Sequence, residues 1–140
     1  MKKLRVLALE QDRRSLSLLK AMLQMSGLQR VQATIDVDRA FMGLLETDYD
    51  VVVLRGDSPR FSGVEMLGMV RAIKRKAPPV LMTFSGSNTA DVHALASFER
   101  AAALIRPMSV RQMLDRIVAL TRPKVSLEEY PRTEADLFIL

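Results

Sequence analysis

The chain has 140 residues, about half of them apolar, and a formal net charge of +5. That length and apolar content suit one domain with a substantial core, which argues against disorder. The absence of cysteine excludes disulfides and thiolate metal sites, and the single histidine, His93, cannot build an imidazole-rich metal site.

The opening MKKLRVLALEQDRR has a basic end and an apolar run, but LRVLAL is short and passes straight into charged residues without a small-residue cleavage site. It reads as a first strand (4–9) rather than a signal peptide, and a cytoplasmic location is expected. No apolar run reaches the roughly 18–20 residues of a membrane span. A first helix follows, with Asp12 as N-cap, Leu16, Leu19, Met22 and Leu23 on one face and Gly27 as its stop. RVQAT (30–34) predicts a second strand, and 37–47 a helix with Phe41, Leu44 and Leu45 at helical spacing.

VVVL (51–54) predicts a buried third strand, broken by Arg55. A helix over 64–76 carries Met66, Met69, Val70 and Ile73 on one side, and Arg71, Lys74, Arg75 and Lys76 near its end suit the helix dipole. Pro78 and Pro79 stop it. PVLMTF (79–84) is the fourth strand. A fourth helix spans 88–98, with Ser87 or Asn88 as cap and Val92, Leu95 and Ala96 inside. AALI (102–105) is the fifth strand. The last helix starts with Ser109 and Gln112 in capping-box spacing and runs Val110, Met113, Leu114, Ile117 and Val118 along one stripe.

Five strands alternating with five helices predict an α/β domain over 1–121, with a five-stranded parallel sheet and helices on both faces. The working crevice of such a fold lies beyond the carboxyl ends of the strands. Glu10-Gln11-Asp12, Arg55-Gly56-Asp57, Phe84-Ser85-Gly86 and Arg106 should meet there.

Residues 4–121 resemble a receiver domain of bacterial response regulators, of the chemotaxis-regulator type. The resemblance rests on element order, on Pro59 and Gly63 at family spacing from Arg55, and on Arg106-Pro107 at the position of a Lys-Pro pair. It implies a flavodoxin-like sheet of order 2-1-3-4-5. It also implies a site for phosphoryl transfer: two acids after the first strand, a phosphoacceptor aspartate ending the third, a Thr or Ser ending the fourth, an aromatic in the fifth and a magnesium ion. Here Glu10 and Gln11 fall at the acid pair, Arg55 at the phosphoacceptor, Phe84 at the hydroxyl position, Ala103 at the switch aromatic and Arg106 at the lysine. Arginine offers no lone pair as nucleophile or metal ligand, and its fixed charge opposes a divalent cation. A pseudo-receiver, without enzymatic activity, cofactor or metal, is expected.

Three readings of Arg55 compete. It neutralises Glu10 as an internal ion pair; or Arg55 and Arg106 grip an anion such as a cyclic dinucleotide or a partner's acidic side chain; or Asp57 takes over as phosphoacceptor. The resemblance also implies an interaction face formed by the fourth helix, fifth strand and fifth helix, carrying His93, Arg100, Arg111, Asp115 and Arg116. It would serve a signalling or motility protein, or a second copy. His93 itself reads as a surface residue, and most of the nine methionines as core.

The basic 71–76 cluster reads as a solvated helix end, and nucleic acid is not an expected partner. Residues 122–140 form a separate tail. From Arg122 onward the net charge is −1, against +6 for the body, and Leu137-Phe138-Ile139-Leu140 are all apolar. Docking of that apolar stretch onto its own domain, a second subunit or a partner is expected.

Overall fold

The computed structural model describes residues 3–86 and 89–122. The expected cap at Ser87 or Asn88 and the docking of the tail therefore lie outside the described residues. The elements alternate as β1 (Arg5–Leu9), α1 (Arg13–Met25), β2 (Arg30–Thr34), α2 (Val37–Glu46), β3 (Val51–Arg55), α3 (Gly63–Ile73), β4 (Val80–Phe84), α4 (Thr89–Leu95), β5 (Ala101–Ile105) and α5 (Val110–Thr121). All neighbouring strands are parallel, in the order β2-β1-β3-β4-β5. This is the doubly wound parallel sheet that the β–α alternation predicts, in the flavodoxin-like strand order that the resemblance implies.

Strand alternation divides the core between the two faces. Val6, Ala8, Val51, Val53, Leu81 and Leu104 pack against α1 and α5, whereas Leu7, Leu9, Val52, Leu54, Met82 and Phe84 pack against α2, α3 and α4. The stripe Val110, Met113, Leu114, Ile117 and Val118 is fully buried, which makes α5 the main cover of the first face.

Caps set the helix ends. The Asp12 carboxylate accepts the Ser15 N–H, the Ser109–Gln112 capping box closes both ways, and Gly27, at φ 97°, follows the end of α1 in the left-handed conformation that glycine adopts freely.

Two helices bury a different line of residues from the one expected. The buried line of α3 is Gly63, Met66, Leu67 and Val70, while Met69 and Ile73 are 56% and 57% exposed. Both lines have helical spacing, and packing against the sheet selects the one containing Leu67. In α2, Leu45 is likewise exposed and Ala40 takes its place inside.

The third helix also stops earlier than expected, at Ile73. Lys74 is extended, and its ammonium reaches back to the Leu44 and Thr47 carbonyls, so Arg75 and Lys76 lie beyond the helix. The fourth helix is shorter than predicted and leaves Ala96 exposed. No helix among the described residues is long and apolar enough to cross a membrane.

Candidate functional site at the carboxyl ends of the strands

The alternation that buries Ala8, Val53, Leu81 and Leu104 on the α1–α5 face carries their second neighbours, Glu10, Arg55, Thr83 and Arg106, to the same side at the strand ends. Glu10 is completely buried and Arg55 is 4% exposed. A carboxylate and a guanidinium so placed lose their hydration, and only each other's charge and hydrogen bonds can offset that loss.

The contacts follow that demand. Glu10 Oε1 lies 3.1 Å from Arg55 Nε and accepts the Gln11 N–H at 3.1 Å, and Glu10 Oε2 accepts from Arg106 Nη2 at 2.6 Å. One buried carboxylate thus sits between two guanidiniums. The Arg106 link joins β5 to β1 across 96 positions of sequence. Burial lowers the Arg106 pKa from its ordinary value, opposed by the Glu10 charge and assisted by the positive charge of Arg55.

Asp57, two residues past the end of β3, completes the cluster from the loop. Its Oδ1 stands 3.7 Å from Arg55 Nε, and its Oδ2 accepts both the Ser85 N–H at 2.7 Å and the Ser85 hydroxyl at 2.6 Å. Burial raises its pKa, but the Ser85 donors and the Arg55 charge together outweigh that and hold the carboxyl below its usual value. A depressed carboxyl stabilises the fold above the unfolded value of about 4 and loses that contribution as pH falls through the folded value. Asp57→Asn should therefore flatten the fall in stability on acidification below about pH 4. Urea unfolding midpoints measured across that range, equally steep in both proteins, would contradict the assignment.

The guanidiniums are not fully satisfied. Among the described residues, Arg55 Nε and Nη1, Arg106 Nε and the Thr83 hydroxyl are buried without a hydrogen-bond partner. The 3.1 Å contact of Arg55 with Glu10 is therefore an ion pair rather than an aligned hydrogen bond.

The remaining site residues fall in three places. Phe84 is fully buried on the opposite face of the sheet, with its ring beneath Gly56, and Thr83 is in register with Arg55. Ala103 lies partly buried in β5, and its carbonyl accepts from Arg116 at 3.3 Å. His93 is exposed on α4, while Arg111 and Asp115 pair at 3.4 Å along α5. Arg100 lies instead at the amino ends of the strands, where its carbonyl accepts from Arg71.

Two partners in the crevice escaped the sequence reading. Thr83 carries no motif of its own, and only the strand register shows that it lies beside Arg55. Ser85 carries no sequence signal beyond its loop position, because its pairing with Asp57 spans 28 positions.

Magnesium, which the resemblance implies, does not fit these residues. Both Glu10 oxygens are engaged by cations or an N–H, Asp57 Oδ2 is held by Ser85, and a guanidinium lies between the two carboxylates. A hard divalent ion needs oxygen ligands without a fixed positive charge among them. Among the described residues, no group of three or more His, Asp or Glu could hold a metal.

No family model and no curated relative matches the chain. Its structural neighbours are receiver domains. The chemotaxis response regulator CheY4 of Vibrio cholerae is similar at 18% identity with a TM-score of 0.72, the match covering 85% of this chain and 99% of that one. A response regulator receiver domain protein from Clostridium thermocellum gives 19% identity and 0.75, over 86% and 96%. The receiver domain of the Pseudomonas aeruginosa sensor histidine kinase PA1611, solved with magnesium in its active-site cleft, gives 17% and 0.72, over 86% and 98%. At these identities the likeness establishes the fold.

Proposed function

We propose that this chain is a pseudo-receiver, a non-enzymatic protein-interaction module of bacterial signal transduction that works without aspartyl phosphate. The observation that carries the reading is the buried ion pair at the phosphoacceptor-equivalent position, where Arg55 lies 3.1 Å from Glu10. A guanidinium there cannot accept a phosphoryl group, and it already neutralises the carboxylate that a metal would need.

The interaction surface in this reading is formed by α4, β5 and α5. It presents His93 on α4 and Arg111, Asp115 and Arg116 on α5, with Ile105, 47% exposed, on β5. An apolar centre with a mixed, mainly basic rim suits an acidic helix of a signalling or motility protein, or a second copy of the domain. Because Arg116 covers the Ala103 carbonyl, the β5 edge is partly capped and side chains would supply the contact. Binding would need no phosphoryl donor.

A second reading, an anion sensor, is favoured by the unpartnered donors Arg55 Nη1 and Arg106 Nε. Both guanidiniums already face Glu10, so an anion would have to compete with a buried carboxylate. The third, phosphorylation at Asp57, must overcome the grip of Ser85 on its Oδ2. One experiment addresses the first and third together. After incubation with a small phosphoryl donor and magnesium, the intact mass of the chain should be unchanged, and a stable phosphoryl adduct mapped to Asp57 would replace our reading with the third. Calorimetric titration with cyclic dinucleotides tests the second, and no heat of binding is expected.

A further inference from the structure

The opposite end of the sheet holds a second charged feature, unrelated to the crevice described above. An open crevice of about 620 Å³ lies at the amino ends of the central strands, and Arg71, Lys74, Arg75, Lys76 and Arg100 line it. Of the acids beside them, Asp50 accepts the Arg5 N–H and Asp48 stands 3.6 Å from Lys74. Positive charge is in excess. Burial and the neighbouring Arg100 lower the Arg71 pKa, against the pull of Glu99, and Arg71 Nε is buried without a partner among the described residues. Like charges gathered around an open cleft favour an anionic occupant.

An apolar strip adjoins this crevice. Ile73 and Met69, one turn apart on α3, are both more than half exposed, and Leu45 on α2 is 50% exposed. The Lys74 ammonium ties the ends of the two helices together through the Leu44 and Thr47 carbonyls, so Leu45 and Ile73 flank the same junction.

We infer that residues 123–140 of the same chain occupy this surface, with their acidic centre in the basic crevice and Leu137–Leu140 on the Ile73–Met69–Leu45 strip. Three observations support the assignment. First, α5 starts just past the carboxyl end of β5 and packs back across β5, β4 and β3, so Arg122 emerges at the amino edge of the sheet, where the crevice lies. Second, the segment carries Glu128, Glu129, Glu134 and Asp136 against Lys124 and Arg132, a net −2 opposite an excess of cations. Third, the order agrees: acids precede the apolar run in sequence, and Ile73 of the strip directly precedes Lys74, which lines the crevice. Length is no obstacle. Six residues from Arg122 to Glu128 span at most about 20 Å, and fifteen to Leu137 about 50 Å, enough to pass beneath one sheet edge. Desolvation of the apolar run supplies the attraction, and the charges set its place and direction.

The absence of native cysteine makes the test direct. Spin labels at Ala72→Cys on α3 and Ala135→Cys in the full-length chain should give one narrow distance peak by pulsed electron resonance. The added pair Arg75→Glu and Lys76→Glu, both at exposed positions, should abolish that peak and leave a broad distribution. Further addition of Glu128→Lys and Glu129→Lys should restore it. Circular dichroism of each variant checks that the sheet is intact. A broad distribution in the parent chain, a narrow peak that survives charge reversal, or failure of the second reversal to restore it would each overturn the inference. So would loss of the peak on dilution with unlabelled chain, because the segment would then be held by a second copy.

Discussion

Replacing Arg55 with alanine should lower stability by about 3 kcal/mol, near the bottom of the ~3–5 kcal/mol range for breaking a buried ion pair. The low end applies because Glu10, left fully buried, keeps Arg106 at 2.6 Å. With a urea slope of about 1–3 kcal/mol per M, the unfolding midpoint should move by at least ~1 M. The double change Glu10→Gln with Arg55→Met should recover most of the loss. It removes the stranded charge and fills the space of the guanidinium stem, while Arg106, with a side chain 18% exposed, can turn to water. Coincident unfolding curves for wild type and Arg55→Ala would mean that the pair contributes nothing to the fold, and the structural role of Arg55 would have to be abandoned.

For the same reason, placing an aspartate at position 55 should not create a phosphorylation switch. Arg55→Asp would place a second carboxylate near buried Glu10, with Asp57 close by, and only Arg106 would remain to balance them. Like charges in a poorly hydrated cleft raise one another's pKa, so the introduced group would favour its protonated, non-nucleophilic form. Ala103 would also remain, without the aromatic that the resemblance associates with switching, and Phe84 would stay on the opposite face of the sheet.

What the sequence disclosed follows a physical divide. Strand positions were legible because short apolar runs bounded by turn or charged residues have few alternatives, and β2 falls at 30–34 as read. The α5 stripe was legible because the capping box fixes where the helix begins and hence which side chains share a face. In α3 two apolar lines compete, Met66–Val70 and Met69–Ile73, and periodicity cannot choose between them without the sheet. The residue types of the crevice were readable at positions 10, 55, 57 and 106, but their bonds were not. The Glu10–Arg106 and Asp57–Ser85 contacts depend on strand order and loop path, which bring together residues 96 and 28 positions apart. The basic cleft at the amino ends was hidden for the same reason. Its 71–76 cluster resembled an ordinary helix terminus until the β5 turn brought Arg100 beside it.

Gly56→Ala should be a damaging single-methyl change near the site, because a Cβ there would lie 2.4 Å from the Phe84 ring and 2.8 Å from Met82 Cγ. Neither neighbour can simply swing away, since both are fully buried among α2, α3 and α4. The remaining outlet is a backbone shift at the end of β3, where the Gly56 N–H donates to the Thr83 carbonyl at 2.7 Å and Arg55 faces Glu10. Overpacking of this kind costs about 1–3 kcal/mol and more where the backbone must move. The position therefore couples the packing on one face of the sheet to the ion pair on the other. Phe84→Leu removes the offending ring edge, so it should cost stability alone yet offset part of the loss in the Gly56→Ala background. A double-mutant cycle by urea denaturation should return a coupling of about 1 kcal/mol or more. Strict additivity would show that the ring does not rest on the glycine. A measured coupling would mean that Phe84 acts as a wedge that fixes the end of β3, and with it Arg55, in one arrangement.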